Sequence, residues 1–221
     1  MRLGHSQPKA FVELGGRPLL YYSLRSIREV AAIGEVIVAI PPGKEAAAQH
    51  AARQAGLGVA LKLTAGGAER QDSVRIALAL ASAHSSVVLV HDAARPFAPS
   101  RLFAGCIEAA ARNGGAIAAI PVADTLKEAA HNSIIATRPR QGLFAAQTPQ
   151  AFKRDLLVAA HSTNPAAGIL ATDDAFLVER LGARVEIVPG SALNFKITTA
   201  EDLRMAQALI AADPVLARQF E

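Results

Sequence analysis

Short apolar runs rich in branched residues alternate with stretches of helical periodicity along almost the whole chain. This alternation restricts the fold more than any other feature. Glu35–Ile40 reads as a buried strand, and residues 44–55 as a helix entered through Pro41-Pro42-Gly43. Residues 59–63 form a second strand, followed at 72–83 by a helix with Val74, Ala77, Leu78 and Leu80 on its apolar side. Val87–Val90 is a third strand, 101–112 a helix and 116–120 a fourth strand. Helices at 154–161 and 173–181, a strand at 185–188 and a last helix at about 200–211 complete the series. Strands separated by helices of this length require right-handed crossovers. The reading is therefore α/β: a Rossmann-like, mostly parallel sheet with helices on both faces.

The composition suits that architecture. Hydrophobic residues make up 51% of the 221 positions and are mostly Ala, Val, Leu and Ile, while aromatics are only 5%. Ala-rich helices over buried parallel strands have this signature. No linker, repeat or low-complexity segment divides the chain, so one domain covering 1–221 is expected.

Two stretches break the alternation. Residues 124–129 and 134–140 flank the polar Ala130-His131-Asn132-Ser133 and read as a β-hairpin, an arm at about 124–140. Such an arm belongs at a subunit interface or beside the site. The second irregularity is the opening. An α/β sheet of this kind starts with a buried strand whose following loop binds phosphates. Here Met1-Arg2-Leu3-Gly4 is a polar loop leading directly to Pro8-Lys9. The first strand and the start of the phosphate loop are read as missing, with about 15–20 further residues expected upstream.

Several classes are excluded. The single cysteine, Cys106, rules out an internal disulfide or a cysteine metal cluster and points to a reducing, cytoplasmic setting. No apolar run reaches membrane-spanning length, and the start does not read as a signal peptide. The net charge of +4 comes from singly scattered Lys and Arg without aromatic interleaving. Neither nucleic acid nor membrane is indicated as a partner. A few of those cations drawn together would suit a small polyanion.

Four segments concentrate polar groups at strand ends and helix starts. Arg2 and Lys9 lie on a flexible loop, where two cations can clamp a triphosphate and neutralise charge that builds up in phosphoryl transfer. Gly66-Gly67-Ala68-Glu69-Arg70-Gln71-Asp72-Ser73 joins a strand to a helix. It reads either as a tight turn with an Asp or Ser cap, or as a loop bringing backbone N–H groups to a planar ligand. His91-Asp92-Ala93-Ala94-Arg95-Pro96 follows the most clearly buried strand. An Asp there can take Mg²⁺ or a ribose hydroxyl, or brace the loop by pairing with Arg95. The fourth group is Gln147-Thr148-Pro149-Gln150, Thr172-Asp173 and Asn194-Phe195-Lys196. Thr172 and Thr199 both read as helix N-caps, the latter with Asp202 at capping-box spacing.

Taken in order, these pieces resemble the 4-diphosphocytidyl-2-C-methylerythritol synthases, or methylerythritol-phosphate cytidylyltransferases, from Arg2 to the terminal helix. The pieces are Arg2 with Pro8-Lys9, Gly-Gly-x-Glu-Arg-x-x-Ser, His91-Asp92-Ala93-Ala94-Arg95-Pro96, Asp124-Thr125, Gln147-Thr148-Pro149-Gln150, Thr172-Asp173 and Asn194-x-Lys196. The resemblance implies a Mg²⁺-dependent reaction in which methylerythritol 4-phosphate attacks the α-phosphorus of CTP. It also implies a homodimer formed through the arm. By the same resemblance Arg2 and Lys9 stabilise the transition state, and Arg140 and Lys196 position the attacking phosphate. Gly67, Ala68 and Ser73 recognise cytosine, Asp92 and Arg95 lie by the ribose and metal, and Thr125, Thr148 and Thr172 line the sugar-phosphate pocket. Thr125 and Arg140 would serve the neighbouring subunit's site.

The family opens with a strand and an Ala-Ala-Gly-x-Gly-x-Arg loop; only its final Arg, matched by Arg2, is found in this chain. A ribitol-5-phosphate cytidylyltransferase is the rival enzyme; Glu69-Arg70 and the double Ala93-Ala94 favour the methylerythritol reading. A non-catalytic nucleotide-binding relative is the rival of another class; Arg2, Lys9, Arg140 and Lys196 argue against it.

Overall fold

The computed structural model describes residues 7–167, 170–213 and 216. Lys9–Phe11 forms a 3₁₀ turn, and the short strands β1 (Glu13–Leu14) and β2 (Arg17–Pro18) pair antiparallel across Gly15-Gly16. Helix α1 (Leu19–Arg28) starts immediately after Pro18, whose fixed φ suits the entry to a helix. It buries Leu19, Leu20, Tyr21 and Leu24.

β3 (Glu35–Ile40) and β4 (Ala60–Ala65) pair in parallel around α2 (Glu45–Gln54). Helix α3 (Arg70–Ala79) follows β4 and leads to β5 (Val87–Val90). Helix α4 (Ser100–Asn113) stops at Gly114, whose φ of 100° an L side chain rarely adopts. β6 (Gly115–Pro121) comes next, then the arm strands β7 (Leu126–Ala130) and β8 (Ser133–Arg138). The remaining elements are β9 (Phe144–Lys153), α5 (Arg154–Ala167), α6 (Asp174–Glu179), β10 (Val185–Pro189) and α7 (Ala200–Ala212).

The four-stranded sheet has the order β10-β6-β9-β5. Side-chain alternation splits its two faces between helices. Ala116, Ala118 and Ala151 pack with α4 residues Leu102, Cys106, Ala109 and Ala110. Ile117, Ala119 and Phe152 pack on the other face with Leu157 and Ala160 of α5 and Leu177 and Val178 of α6. The expected α/β layering with helices on both faces is present.

β9 departs from the parallel pattern by running antiparallel to both β5 and β6. From sequence, Gln147-Thr148-Pro149-Gln150 reads only as a motif, because a proline argues against a central strand. The ladder accommodates Pro149 through a register shift between Ile117 and Ala119 on β6. The arm is an antiparallel hairpin with a register shift between Glu128 and Ala129, and with His131 and Asn132 at its tip, both at positive φ as a two-residue turn requires.

β3 and β5 do not pair. Among the described residues the sheet divides into β3-β4 and the four-stranded part. Between them runs a cleft of about 1020 Å³, lined by Val36 and Val38 from one side and Val88 and Val90 from the other. Its lining continues to Arg70, Ser73, His91 and Asp92.

Candidate active site

β9 organises the site from within the fold, using the polar residues of its own motif. Gln150 is buried, its Nε2 donating to Asp173 and its Oε1 accepting from the backbone N–H groups of Asp174 and Ala175. This pins the start of α6. Asp173 is the N-cap of that helix, its carboxylate accepting from Phe176 N–H at 2.9 Å. The expectation that Thr172 caps α6 is thereby corrected: a carboxylate one position later makes the bond, and Thr172 is left exposed on the loop.

Gln147 reaches the opposite way, donating to Ser191 O at 2.9 Å and accepting from the fully buried Asn194 at 3.0 Å. Asn194 also donates to Thr148 O. The segment carrying Lys196 is therefore fastened to β9, and Ile197 N–H donates to Ala94 O at 2.8 Å, fastening it to the turn after β5 as well. Beyond it, Thr199 and Asp202 form the expected capping box of α7.

Thr148 is 4% exposed, and its Oγ1 accepts from Asp92 N–H at 3.0 Å while meeting His91 Nδ1 at 3.0 Å. Its hydroxyl braces the Asp92 turn from behind. Burial holds the His91 imidazole neutral, pushing its pKa down to about 4.

Asp92 lies at the carboxyl end of β5 amid three cations. Lys196 Nζ is 2.8 Å from Oδ2, Arg70 Nε 3.3 Å from Oδ1 and Arg95 Nε 3.8 Å from Oδ2. Burial alone would raise its pKa, but Lys196 and Arg70 outweigh that and hold it at about 2. Arg95 also donates to Asn194 O at 2.8 Å. The predicted brace between Asp92 and Arg95 thus coexists with a wider cationic shell.

The Gly-Gly loop joins β4 to α3. Gly67 N–H donates to Ser73 Oγ at 3.0 Å, and a Cβ on Gly67 would meet Asp72 Cβ at 2.3 Å, so no larger residue fits. Glu69 is the N-cap of α3, with Asp72 completing a capping box. Ala68 is exposed at the tip. The turn-and-cap reading holds for Glu69 and Asp72, and it leaves the Gly67–Ala68 backbone presented at the surface.

Lys9 opens the 3₁₀ turn and is exposed. Phe11 in that turn shares a core cluster with Phe97, with Ala93, which follows Asp92, and with Phe195 and Ile197, which flank Lys196. Lys44 sits 5.7 Å over the Phe11 ring, so the turn lies at the carboxyl end of β3. Arg2 lies outside the described residues. Thr125 and Arg140 are exposed at the two ends of the arm.

Asp92, Arg95, Thr148 and Lys196 are therefore brought together, with Gly67 on the loop before α3, Ser73 in the first turn of α3 and Lys9 on the 3₁₀ turn. Sequence reasoning assigns no role to Arg70, Asp174, His161, Gln150 or Asn194. Arg70, Gln150 and Asn194 are legible as members of motifs without a role, whereas His161 and Asp174 have only tertiary signatures.

A carboxylate surrounded by cations, beside a glycine loop at the carboxyl ends of α/β strands, places the chain among the nucleotidyltransferases. Similarity to known proteins specifies the family. Residues 1–212 match the sequence profile of IspD, 2-C-methyl-D-erythritol 4-phosphate cytidylyltransferase, and the chain belongs to that family. The protein of that name from Deinococcus radiodurans is 45% identical over 91% of this chain and 82% of its own length. The Shouchella clausii protein is 41% identical over 95% and 91%. A bifunctional IspD/IspF enzyme from Anaeromyxobacter dehalogenans is 44% identical over 92% of this chain, which spans 53% of that longer protein. The crystal structure of the Thermus thermophilus enzyme superposes with a TM-score of 0.80 at 42% identity, covering 92% of this chain and 94% of that one.

Proposed function

We propose that this protein transfers CMP from CTP to 2-C-methyl-D-erythritol 4-phosphate, releasing pyrophosphate. The observation that carries the reading is the Asp92 turn, where Lys196, Arg70 and Arg95 converge in a chain of this family. A phosphate oxygen of the alcohol attacks the α-phosphorus of CTP, and the bond to the β-phosphate breaks as pyrophosphate leaves. The nucleophile is already an anion, so no general base is needed. The difficulty is the approach of two polyanions, which fixed cations relieve.

In this reading Lys196 and Arg140 receive the attacking phosphate, and Arg2 and Lys9 stabilise charge on the triphosphate. Gly67, Ala68 and Ser73 take the base, Asp92 and Arg95 the ribose side, and Thr125, Thr148 and Thr172 the sugar phosphate. For Thr148 the role is indirect, through the Asp92 turn it braces. Mg²⁺ would neutralise phosphate oxygens, with Asp92 as its protein ligand. No group of three His, Cys, Asp or Glu comes together among the described residues. Such an ion would draw its remaining ligands from triphosphate and water, a habit of Mg²⁺.

The arm supports a homodimer reading. Ile134 and Ile135 are 67% and 62% exposed on a two-stranded ribbon, with Leu143 and Phe144 exposed beside its base. A partner subunit there would bring Thr125 and Arg140 to a neighbouring site. No described helix is long and apolar enough to cross a membrane, and one buried cysteine fits a reducing cytoplasm.

We also infer that the cleft between β3 and β5 can accept one further parallel strand. Two strand edges, unpaired among the described residues, face each other across it, lined with valines. The 3₁₀ turn stands at the carboxyl end of β3, where a strand rising through the cleft would emerge. That strand would lead its loop directly to the Asp92 turn.

Pyrophosphate release from CTP and the alcohol phosphate tests the reading. Tight CTP binding without release, with either methylerythritol or ribitol phosphate, would instead make the protein a binding relative.

A further inference from the structure

Asp174 is 1% exposed and belongs to no part of the proposed substrate site. Its Oδ1 is 3.0 Å from His161 Nε2, and its Oδ2 forms an ion pair with Arg70 Nη1 at 2.8 Å. The other edge of the same guanidinium meets Asp92, Nε to Oδ1 at 3.3 Å. One arginine thus links a buried carboxylate to the carboxylate at the centre of the site. Arg70 is also the first residue of α3, directly after the Gly66–Glu69 loop.

Burying a carboxylate is costly unless it is paired, and replacing such a group by an apolar one often leaves stability unchanged. Stability alone is therefore a weak reason for Asp174 to be there. Geometry offers a stronger one. Arg70 is a long side chain with many rotamers, and its Nη2 is buried with no hydrogen-bond partner among the described residues. Among the described residues, without Asp174 the guanidinium would be held by Asp92 alone, which already pairs with Lys196. Asp174 itself cannot drift, because His161 grips its other oxygen and Gln150 holds its backbone N–H.

We propose that Asp174, backed by His161, is a positioning residue for the nucleotide site. It fixes Arg70, and through Arg70 it sets both the Asp92 carboxylate and the Gly67–Ala68 loop. The inference rests on the reading of this site as the CTP site.

The test is a double-mutant cycle in the full chain with Asp174→Asn, Arg70→Ala and the pair. CTP affinity is measured by calorimetry, melting temperature by circular dichroism, and amide exchange without nucleotide by mass spectrometry. Asp174→Asn should weaken CTP about tenfold, and the double variant should bind no worse than Arg70→Ala alone. Exchange at Gly67 and Ala68 should quicken about tenfold while β6 stays protected. Additive losses in the double variant, or slow loop exchange with wild-type affinity in Asp174→Asn, would overturn the proposal. Should Asp174→Asn not fold, Arg70→Lys takes its place. A lysine cannot hold both carboxylates, so it should weaken CTP to the same degree with little change in melting, and wild-type affinity would sink the idea. A wild-type chain that does not bind CTP would reject the functional reading, and loop exchange would then decide the positioning role alone.

Discussion

The ammonium of Lys196 rests 2.8 Å from the carboxylate of Asp92, joining the segment before the last helix to the turn after β5. In the proposed reaction the attacking phosphate competes with Asp92 for that ammonium. The contact therefore keeps Lys196 at the point where nucleotide and alcohol phosphate meet.

Lys196→Ala and Arg140→Ala should each lower turnover strongly and leave CTP affinity largely intact. Loss of a charge-assisted phosphate contact of this kind costs on the order of 2–4 kcal/mol of transition-state stabilisation. Pyrophosphate release gives the rate and calorimetry the affinity. Near-normal turnover in both variants would remove them from the site.

Acid should destabilise the protein in two stages. His91 titrates at about 4 when folded, against 6.5 for a free histidine, so the unfolded chain takes up its proton first. Stability should decline as pH falls from about 6.5 to about 4, by on the order of 3 kcal/mol. Asp92, at about 2 when folded against 3.8 when free, contributes stability above about 4 that is lost as pH falls towards 2. Thermal melts across this range should show both slopes. His91→Gln, which cannot titrate, should flatten the first and spare the second; an unaltered first slope would assign it to another group.

Most strands and helices are legible in the sequence because burial and periodicity are local. Glu35–Ile40 and Val87–Val90 have the bounds their apolar runs suggest. Helix α1 goes without a sequence assignment although its apolar residues, Leu19, Leu20, Tyr21, Tyr22, Leu24 and Ile27, form a marked helical stripe. β9 is hidden by Pro149. The cationic shell of Asp92 is half visible: Arg95 and Lys196 stand in motifs, whereas Arg70's tie to Asp174 and His161 depends on packing between α3, α5 and α6. The motif Gln147-Thr148-Pro149-Gln150 stands out in the sequence as chemistry, and in the fold it works largely as bracing.

The arm should hold two copies together. Ile134→Glu with Ile135→Glu places charges on its exposed apolar face and should yield monomers that lose activity, since Thr125 and Arg140 would no longer reach a second site. Light scattering reports the mass and the coupled assay the rate. An active monomer would contradict the role of the arm.

The cleft should accept an added strand. Fusing a six-residue Val- and Ile-rich strand and a glycine-rich loop ahead of Met1 should raise the melting temperature by more than about 5 °C, because each newly satisfied buried backbone group contributes roughly 1–3 kcal/mol. Amide exchange at Val36, Val38, Val88 and Val90 should slow, and a fusion with proline in the strand should show neither effect. Equal melting of both fusions would refute the strand. Protection of those amides in the unextended chain that is lost on dilution would assign the cleft to a second copy.

The central claim, cytidylyl transfer to methylerythritol phosphate, is tested most directly by pyrophosphate release from CTP with each alcohol phosphate in turn. The account predicts efficient release with 2-C-methyl-D-erythritol 4-phosphate and a specificity constant at least a hundredfold lower with ribitol 5-phosphate, on the order of a 3 kcal/mol preference. Equal or greater release with ribitol 5-phosphate, or none with either alcohol, would contradict it.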